Sequence, residues 1–199
     1  MQATAVLLLI AAVVAAGDRL GETFTRPLGF QLGGMNLEEI RQRLGPATLQ
    51  HSGDAGESEY VVCYVARKAG IQIAFKSGEM GGNDHQLLGF SMQKVGRAPS
   101  RECLALSPRQ EASLTFAIGG LRLGIPPSAF RQTAGNVTER DGDRLVADFE
   151  YRDPIPPGEG LGPPRQGTAS SYWDTFITLE GRFVENKLAE ISVWRVVTQ

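Results

Sequence analysis

Apolar residues spaced three and four positions apart predict a short amphipathic helix near the start of the chain. The stripe consists of Leu37, Ile40 and Leu44. Asn36 is a good N-cap, and Glu39 stands at the reciprocal position of a capping box. Gly45 and Pro46 end the helix, because glycine adopts the left-handed cap conformation and proline cannot continue the helix. So short a helix is marginal alone in water, so we expect it to pack on a sheet.

The pattern of this helix recurs 90 positions along the chain. The segment 124–136 repeats the spacing of the segment 34–46. Pro126 and Pro127 favour its first turn, where no backbone donor is lost. Three positions of the first copy have counterparts in the second, which are Phe130 for Ile40, Ala134 for Leu44 and Gly135 for Gly45.

Three strands are predicted after each helix, the first of the six from a continuous β-branched and aromatic run and the others from alternating apolar and polar residues. The predicted strands lie at 60–66, 71–76 and 88–93 in the first half, and at 145–152, 173–179 and 189–194 in the second. The same order in both halves indicates an internal duplication. We therefore predict an α+β fold of two tandem units, each a short helix packed on an antiparallel three- to four-stranded sheet.

The predicted duplication divides the chain into four parts. They are a signal peptide at 1–17, a first helix-plus-sheet unit at 18–95, a connector at 96–113 and a second unit at 114–199. The second unit contains a loop at 154–170 that is rich in proline and glycine. This loop has no hydrophobic period, which is typical of a mobile or a functional loop.

The start of the chain is typical of a secretory signal peptide. Ala3 to Ala16 is apolar except for Thr4, and small residues before Asp18 offer a cleavage site. Met1 and Gln2 supply no basic side chain ahead of the apolar run. The alternative is an uncleaved anchor, but the run is shorter than the roughly 20 residues that cross a bilayer. We expect a periplasmic or secreted protein with no membrane span after cleavage.

Export favours a disulfide between Cys63 and Cys103, the only cysteines of the chain. Closing a loop of this length is worth about 4 kcal/mol in the chain-entropy model. Two free buried thiols are the alternative if the protein is not exported. A metal site is disfavoured, because His51 and His85 are the only histidines and neither has ligand spacing to a cysteine.

Composition and motifs exclude several classes of function. The 199 residues carry a net charge of −2 and no basic stripe, which argues against a nucleic-acid or polybasic membrane surface. No phosphate loop, dinucleotide fingerprint or nucleophile elbow is present, so no cofactor is expected. Both histidines lie in polar turns, where solvated surface histidines are typical. The sequence therefore predicts that the protein is not an enzyme.

A spaced motif in the first half resembles that of the small domain of SmpA/OmlA-type outer-membrane assembly lipoproteins. It consists of residues 32–35, 38–40 and 44–46, and a polar turn and a β-meander follow it. Two such units in tandem resemble the BLIP-like fold of the β-lactamase inhibitory protein. The resemblance implies helices on one face of an antiparallel sheet and a second face open for protein binding. No cysteine follows the apolar run and no inhibitory residue aligns, so neither the lipid anchor nor β-lactamase inhibition is carried over.

The candidate protein-binding residues are aromatic side chains on predicted strands. Trp194 shares the polar face of the last strand with Glu190, and an exposed Trp on a sheet is typical of a binding hot spot. The alternative is that Trp194 packs against the neighbouring unit or the 154–170 loop. Tyr172 and Phe176 are interpreted in the same way.

These observations predict an exported, non-catalytic protein of the cell envelope or the extracellular space. It binds another protein through its sheet surface, as an inhibitor or an assembly factor does. The alternatives are an envelope hydrolase that uses carboxylates near the 154–170 loop, and a purely structural envelope component.

Overall fold

The computed structural model describes residues 19–54, 57–96, 102–155 and 172–198. The predicted signal peptide at 1–17 and nearly all of the loop predicted at 154–170 lie outside the described residues, as does part of the connector. Within the described ranges, no helix is both long and apolar enough to span a membrane.

Strands dominate the described part of the chain. They are β1 (Gln50–Ser52), β2 (Glu59–Ala66), β3 (Ile71–Gly78), β4 (Gly89–Lys94), β5 (Leu104–Ala105), β6 (Thr138–Arg140), β7 (Arg144–Pro154), β8 (Tyr172–Val184) and β9 (Lys187–Thr198). All belong to one sheet in the order β1-β2-β3-β4-β9-β8-β7-β6, and β5 pairs with β2. Neighbours along this order are antiparallel, and the β2–β5 pair is parallel.

The prediction of two tandem units, each with its own three- to four-stranded sheet, is wrong. β4 pairs with β9 from Gly89↔Trp194 to Gln93↔Glu190, and this pairing joins the strands of both halves into one continuous sheet. The physical reason is that the last strand of each half is apolar on one face and would leave unpaired backbone groups along its edge. Pairing the two edges satisfies these groups and joins the two apolar faces.

Short helices complete the described structure. The α-helices are α1 (Leu37–Leu44), α2 (Pro108–Ser113) and α3 (Pro127–Ala134), and single 3₁₀ turns lie at Leu20–Phe24, Pro27–Gly29 and Glu79–Gly81. The predicted capping box of α1 is confirmed, because Asn36 Oδ1 accepts a hydrogen bond from Glu39 N and Glu39 Oε2 accepts one from Asn36 N, both at 2.9 Å. Helix α2 was not expected, and a second capping box, between Ser107 and Gln110, begins it.

The hydrophobic core lies between the helices and one face of the sheet. Helix α1 buries Leu37, Ile40 and Leu44, and helix α3 buries Phe130 and Ala134. Gly181 of β8 gives α3 room to approach, because a Cβ there would stand 2.7 Å from Phe130 Cε2.

An aromatic cluster ties α1 to the sheet. Phe75 packs edge-on against Phe30 and Phe90, with ring centroids 5.0 and 5.2 Å apart. The fully buried Tyr64 donates a hydrogen bond to the carbonyl oxygen of Gly45 at 2.9 Å. Burial raises the pKa of Tyr64 to about 12. The Tyr64 hydroxyl therefore fixes the C-terminal end of α1 over β2.

The disulfide prediction is confirmed. Cys63 and Cys103 are bonded, and their Cα atoms are 4.6 Å apart. The parallel pairing of Tyr64 with Leu104 sets the preceding residues, the two cysteines, side by side. The bond attaches the segment after β4 to the outer side of β2, and it fits an oxidising, extracytoplasmic compartment.

Candidate protein-binding face

The sheet has one covered face and one face that no described helix packs on. Side chains alternate between the two faces along each strand. In β9, Ile191 and Val193 are buried under the helices, whereas Ser192, Trp194 and Val196 point the other way. We call this second side the open face. Its central part is formed by alternate residues of β4, β9, β8 and β7.

The structure brings all four predicted binding residues onto the open face. Trp194 pairs with Thr178, and Glu190 pairs with Arg182. Tyr172 and Phe176 have the same parity as Thr178 in β8, so they lie on the same side. Sequence alternation alone was sufficient to place these residues on one face.

Trp194 lies across the neighbouring strand rather than projecting freely. A Cβ on Gly89 would stand 2.7–2.8 Å from Cδ2, Cε2 and Cε3 of the indole, so the ring lies against the backbone of β4. The ammonium of Lys76 is 5.8 Å from the ring centroid, a cation–π contact from β3. Trp194 is thus half-buried and held by two strands of the first half of the chain.

Phe176 and Tyr172 provide the exposed apolar surface of the open face. Their relative exposures are 42% and 44%. Phe176 stands between Val196 of β9 and Glu150 of β7 in the cross-strand register. The Arg152 guanidinium lies 5.9 Å from the centre of the Tyr172 ring. These aromatic side chains extend the apolar surface from Trp194 toward the start of β8.

Ion pairs border this aromatic surface. Across the open face they are Lys76–Glu59, Arg140–Asp148, Arg144–Glu180, Arg152–Asp174 and Arg182–Glu190. The Arg152–Asp174 pair is bidentate, with N···O distances of 2.7 and 3.3 Å, and the hydrogen bond to Asp174 raises the pKa of Arg152. Exposed pairs of this kind add about 0–1 kcal/mol each to stability, so their main effect is to fix the charge pattern.

Glu190 is part of this border rather than a free charge. Its Oε2 accepts a hydrogen bond from Arg182 Nε at 3.1 Å, across the β8–β9 pair. Glu190 is the one charged residue among the predicted binding residues, and its charge is already balanced by Arg182.

Two described carboxylates on the open face, Asp148 of β7 and Asp174 of β8, are engaged by neighbouring side chains. Asp148 accepts a hydrogen bond from Thr178 at 2.8 Å and pairs with Arg140, and Asp174 is held by Arg152. In the described ranges, no group of three or more His, Cys, Asp or Glu side chains is arranged to hold a metal ion. The hydrolase alternative depends on the 154–170 loop, nearly all of which lies outside the described residues, so it stays a prediction.

Sequence reasoning missed the setting of the histidines. The rings of His51 and His85 both pack against the Tyr60 ring, whose centroid lies 4.5 Å from that of His51 and 4.0 Å from that of His85. His51 is exposed, as expected, but His85 is half-buried and its Nδ1 has no hydrogen-bond partner within the described structure. The two histidines lie far apart in sequence and are brought together only by the β1–β2 pairing and the turn before β4.

Gly89 is a second feature that sequence reasoning missed. It interrupts an alternating strand pattern, and an isolated glycine in a strand often marks close approach of another group. That signal was available, but identifying the approaching group as Trp194 required knowledge of the β4–β9 pair.

The fold and this face define a protein built mostly on one large, largely antiparallel sheet, with short helices on one side and an aromatic surface and ion pairs on the other. Comparison with protein-family models, curated proteins and solved structures finds no match. The resemblance to SmpA/OmlA-type domains and to the BLIP-like fold therefore stays a prediction. The functional assignment depends on the geometry of the open face.

Proposed function

We propose that this protein is an exported, non-catalytic protein-binding protein that acts through the open face of its sheet. The observation that carries the proposal is the placement of Trp194, Phe176 and Tyr172 on one face, with Phe176 and Tyr172 more than 40% exposed. Trp and Tyr are enriched among the residues that dominate binding energy at protein interfaces. The ligand of such a surface is another protein, located in the periplasm or outside the cell.

The setting of Trp194 favours binding because little side-chain freedom remains to be lost. Its ring is held between the backbone at Gly89 and the ammonium of Lys76. Ordering a free side chain at an interface costs roughly 0.5–1.5 kcal/mol, so a ring that is already positioned avoids most of this loss.

The bordering ion pairs support a specific partner rather than a general apolar contact. Charged groups around an apolar centre orient the partner and disfavour others through like-charge contacts. Arg182–Glu190 and Arg144–Glu180 flank Trp194 and Phe176 on one side, and Arg152–Asp174 lies on their other side, between Phe176 and Tyr172 along β8. A partner that matches this pattern carries an apolar projection ringed by polar groups.

The disulfide supports a location outside the cytoplasm. We propose that the protein is periplasmic or secreted. An inhibitor of an exported enzyme and an assembly factor of the envelope both fit such a location and such a surface.

Affinity capture tests the proposal. The mature protein is immobilised and exposed to its own envelope and culture-medium fractions, beside Phe176→Ala and the matched control Met80→Ala. Met80 is 59% exposed but lies in the turn after β3, away from the aromatic surface. We expect a stoichiometric partner that is retained by wild type and Met80→Ala and is lost with Phe176→Ala. Absence of any partner, together with turnover of a substrate panel, would contradict the proposal and favour the hydrolase.

A further inference from the structure

A cleft lies at the end of the sheet, away from the aromatic surface of the open face. It is bounded by the turn between β2 and β3, by the end of β5 and by helix α2, and its volume is about 720 Å³. This size is within the range of roughly 300–1,000 Å³ that is typical of small-molecule sites. The apolar part of its wall includes Leu106, Pro108, Ala112, Leu114 and Phe116.

The charged residues of the cleft differ in whether their side chains are already hydrogen-bonded. Glu111 is 9% exposed, and its carboxylate accepts hydrogen bonds from Ala69 N at 2.6 Å and from Lys68 N at 3.3 Å. Both carboxylate oxygens are therefore used to hold the β2–β3 turn. Arg67 and Lys68 line the same cleft, and both residues are exposed. Within the described residues neither side chain has an ion-pair or hydrogen-bond partner.

We propose that this cleft binds a single-chain amphiphile with an anionic head, such as a long-chain fatty acid. The alkyl chain packs on the apolar wall formed by α2 and the residues that follow it. The carboxylate pairs with Arg67 and Lys68 at the β2–β3 turn. This site is separate from the open face, so it does not depend on the proposed protein binding.

The chemistry of the wall favours an alkyl chain over a peptide or a sugar. Peptides and sugars bury many polar groups, and each of these requires a hydrogen-bond partner. The side chains of the described wall that are capable of hydrogen bonding belong to Arg67, Lys68 and Glu111, and the Glu111 carboxylate is already bonded to two backbone amides. An apolar tail with one anionic end requires no other partners.

Titration calorimetry with dodecanoate below its micelle concentration, and with dodecanol as the uncharged analogue, tests the inference. Two variants probe the two parts of the site. Ala112→Phe fills the cleft from the exposed side of α2, and Ser113→Phe adds the same ring at the next position, which does not line the cleft. Arg67→Gln with Lys68→Gln removes the cations, and Arg109→Gln is the control for charge on α2.

We expect one saturable dodecanoate site on the wild-type protein. Ala112→Phe weakens the binding of both ligands by about tenfold or more, because their methylene groups lose apolar contacts. Ser113→Phe leaves the binding of both ligands unchanged. In the Arg67→Gln/Lys68→Gln variant the affinity for dodecanoate falls by about three- to tenfold, the size expected for exposed ion pairs, and the affinity for dodecanol does not change. Equal affinity of wild type for both ligands, non-saturable uptake, or unchanged dodecanoate affinity in both Ala112→Phe and the charge variant would overturn the inference.

Discussion

Replacing Gly89 by alanine tests whether Trp194 is held in place by the glycine beneath it. In the native sheet the indole carbons occupy positions 2.7–2.8 Å from where the new Cβ would stand. Real Cβ atoms do not approach other heavy atoms so closely, so the ring must move away from β4. Gly78→Ala is the matched control, because it is also on the open face and its new Cβ would lie 3.7 Å from the nearest atom, Ser58 O, an ordinary contact.

The expected loss of stability is small, because opposing effects nearly cancel. Moving the ring forfeits the contact with Lys76, worth about 0.5–1 kcal/mol at an exposed site. Adapting the packing adds a further cost, at the lower end of the roughly 1–3 kcal/mol seen for overpacked cores, since Trp194 is only half-buried and can shift outward. Alanine recovers about 0.5–1 kcal/mol relative to glycine in a strand. The net destabilisation is about 1 kcal/mol, or roughly 2–4 °C in Tm.

Tryptophan fluorescence in a Trp173→Phe background reports the ring directly, because Trp194 is then the only indole of the chain. We expect a red shift of its emission in Gly89→Ala and none in Gly78→Ala. Partner capture falls in Gly89→Ala by more than the stability change explains. Unchanged emission together with unchanged capture would refute the view that Gly89 positions Trp194 for binding.

Further predictions concern stability and pH. Replacing Cys63 and Cys103 by serine lowers the free energy of unfolding by about 2–4 kcal/mol, measured by urea denaturation against wild type with and without reductant. Phe130→Ala removes a fully buried ring and costs about 3–5 kcal/mol in the same assay, whereas the exposed Ser128→Ala on the same helix stays within about 0.5 kcal/mol of wild type. Tyr64 has a folded-state pKa raised from 10.0 to about 12, so its contribution is complete below pH 10 and is lost as the pH rises toward 12. Tyr64→Phe therefore flattens the fall of stability over that interval, and an identical fall in both proteins would contradict the assignment.

Local features of the fold were predictable because their determinants are close together in sequence. The capping box of α1 joins Asn36 to Glu39, three residues apart, and both hydrogen bonds form as expected. The disulfide followed from there being a single possible pair. Helix α2 was missed because its six residues show no apolar period, although Ser107 and Gln110 flanking Pro108 form a capping signal that could have identified it.

The continuous sheet was not predictable from the pattern of either half. Phe90 and Val193 pair although more than 100 residues separate them. The backbone N–H and C=O groups that join them are present at every strand edge, so they do not identify which edges pair. Alternation fixes which side chains share a face, but it does not say which edges meet. For this reason the face that carries Trp194 could be anticipated, whereas the glycine beneath it could not.

The pairing of Glu190 with Arg182 depends on the tight turn that joins β8 to β9. Glu185 and Asn186 both have positive φ, as the two-residue turns of tight hairpins require. Extending β8 and β9 to such a turn places Arg182 opposite Glu190, with a local shift of register after Arg182. The predicted strands stop at 179 and begin again at 189, so they leave out Arg182 and the residues next to the turn, and the Arg182–Glu190 pair was not predicted.

The β4–β9 pair gives the correction to the fold a functional consequence. Trp194 comes from the second half of the chain, but Gly89 and Lys76, which hold it, come from the first. Two separate sheets would leave the indole without this support and would divide the aromatic surface from the ion pair of Lys76 and Glu59. Because β4 and β9 are paired, contacts from both halves position one binding residue, and the proposed binding surface belongs to the whole sheet rather than to either half.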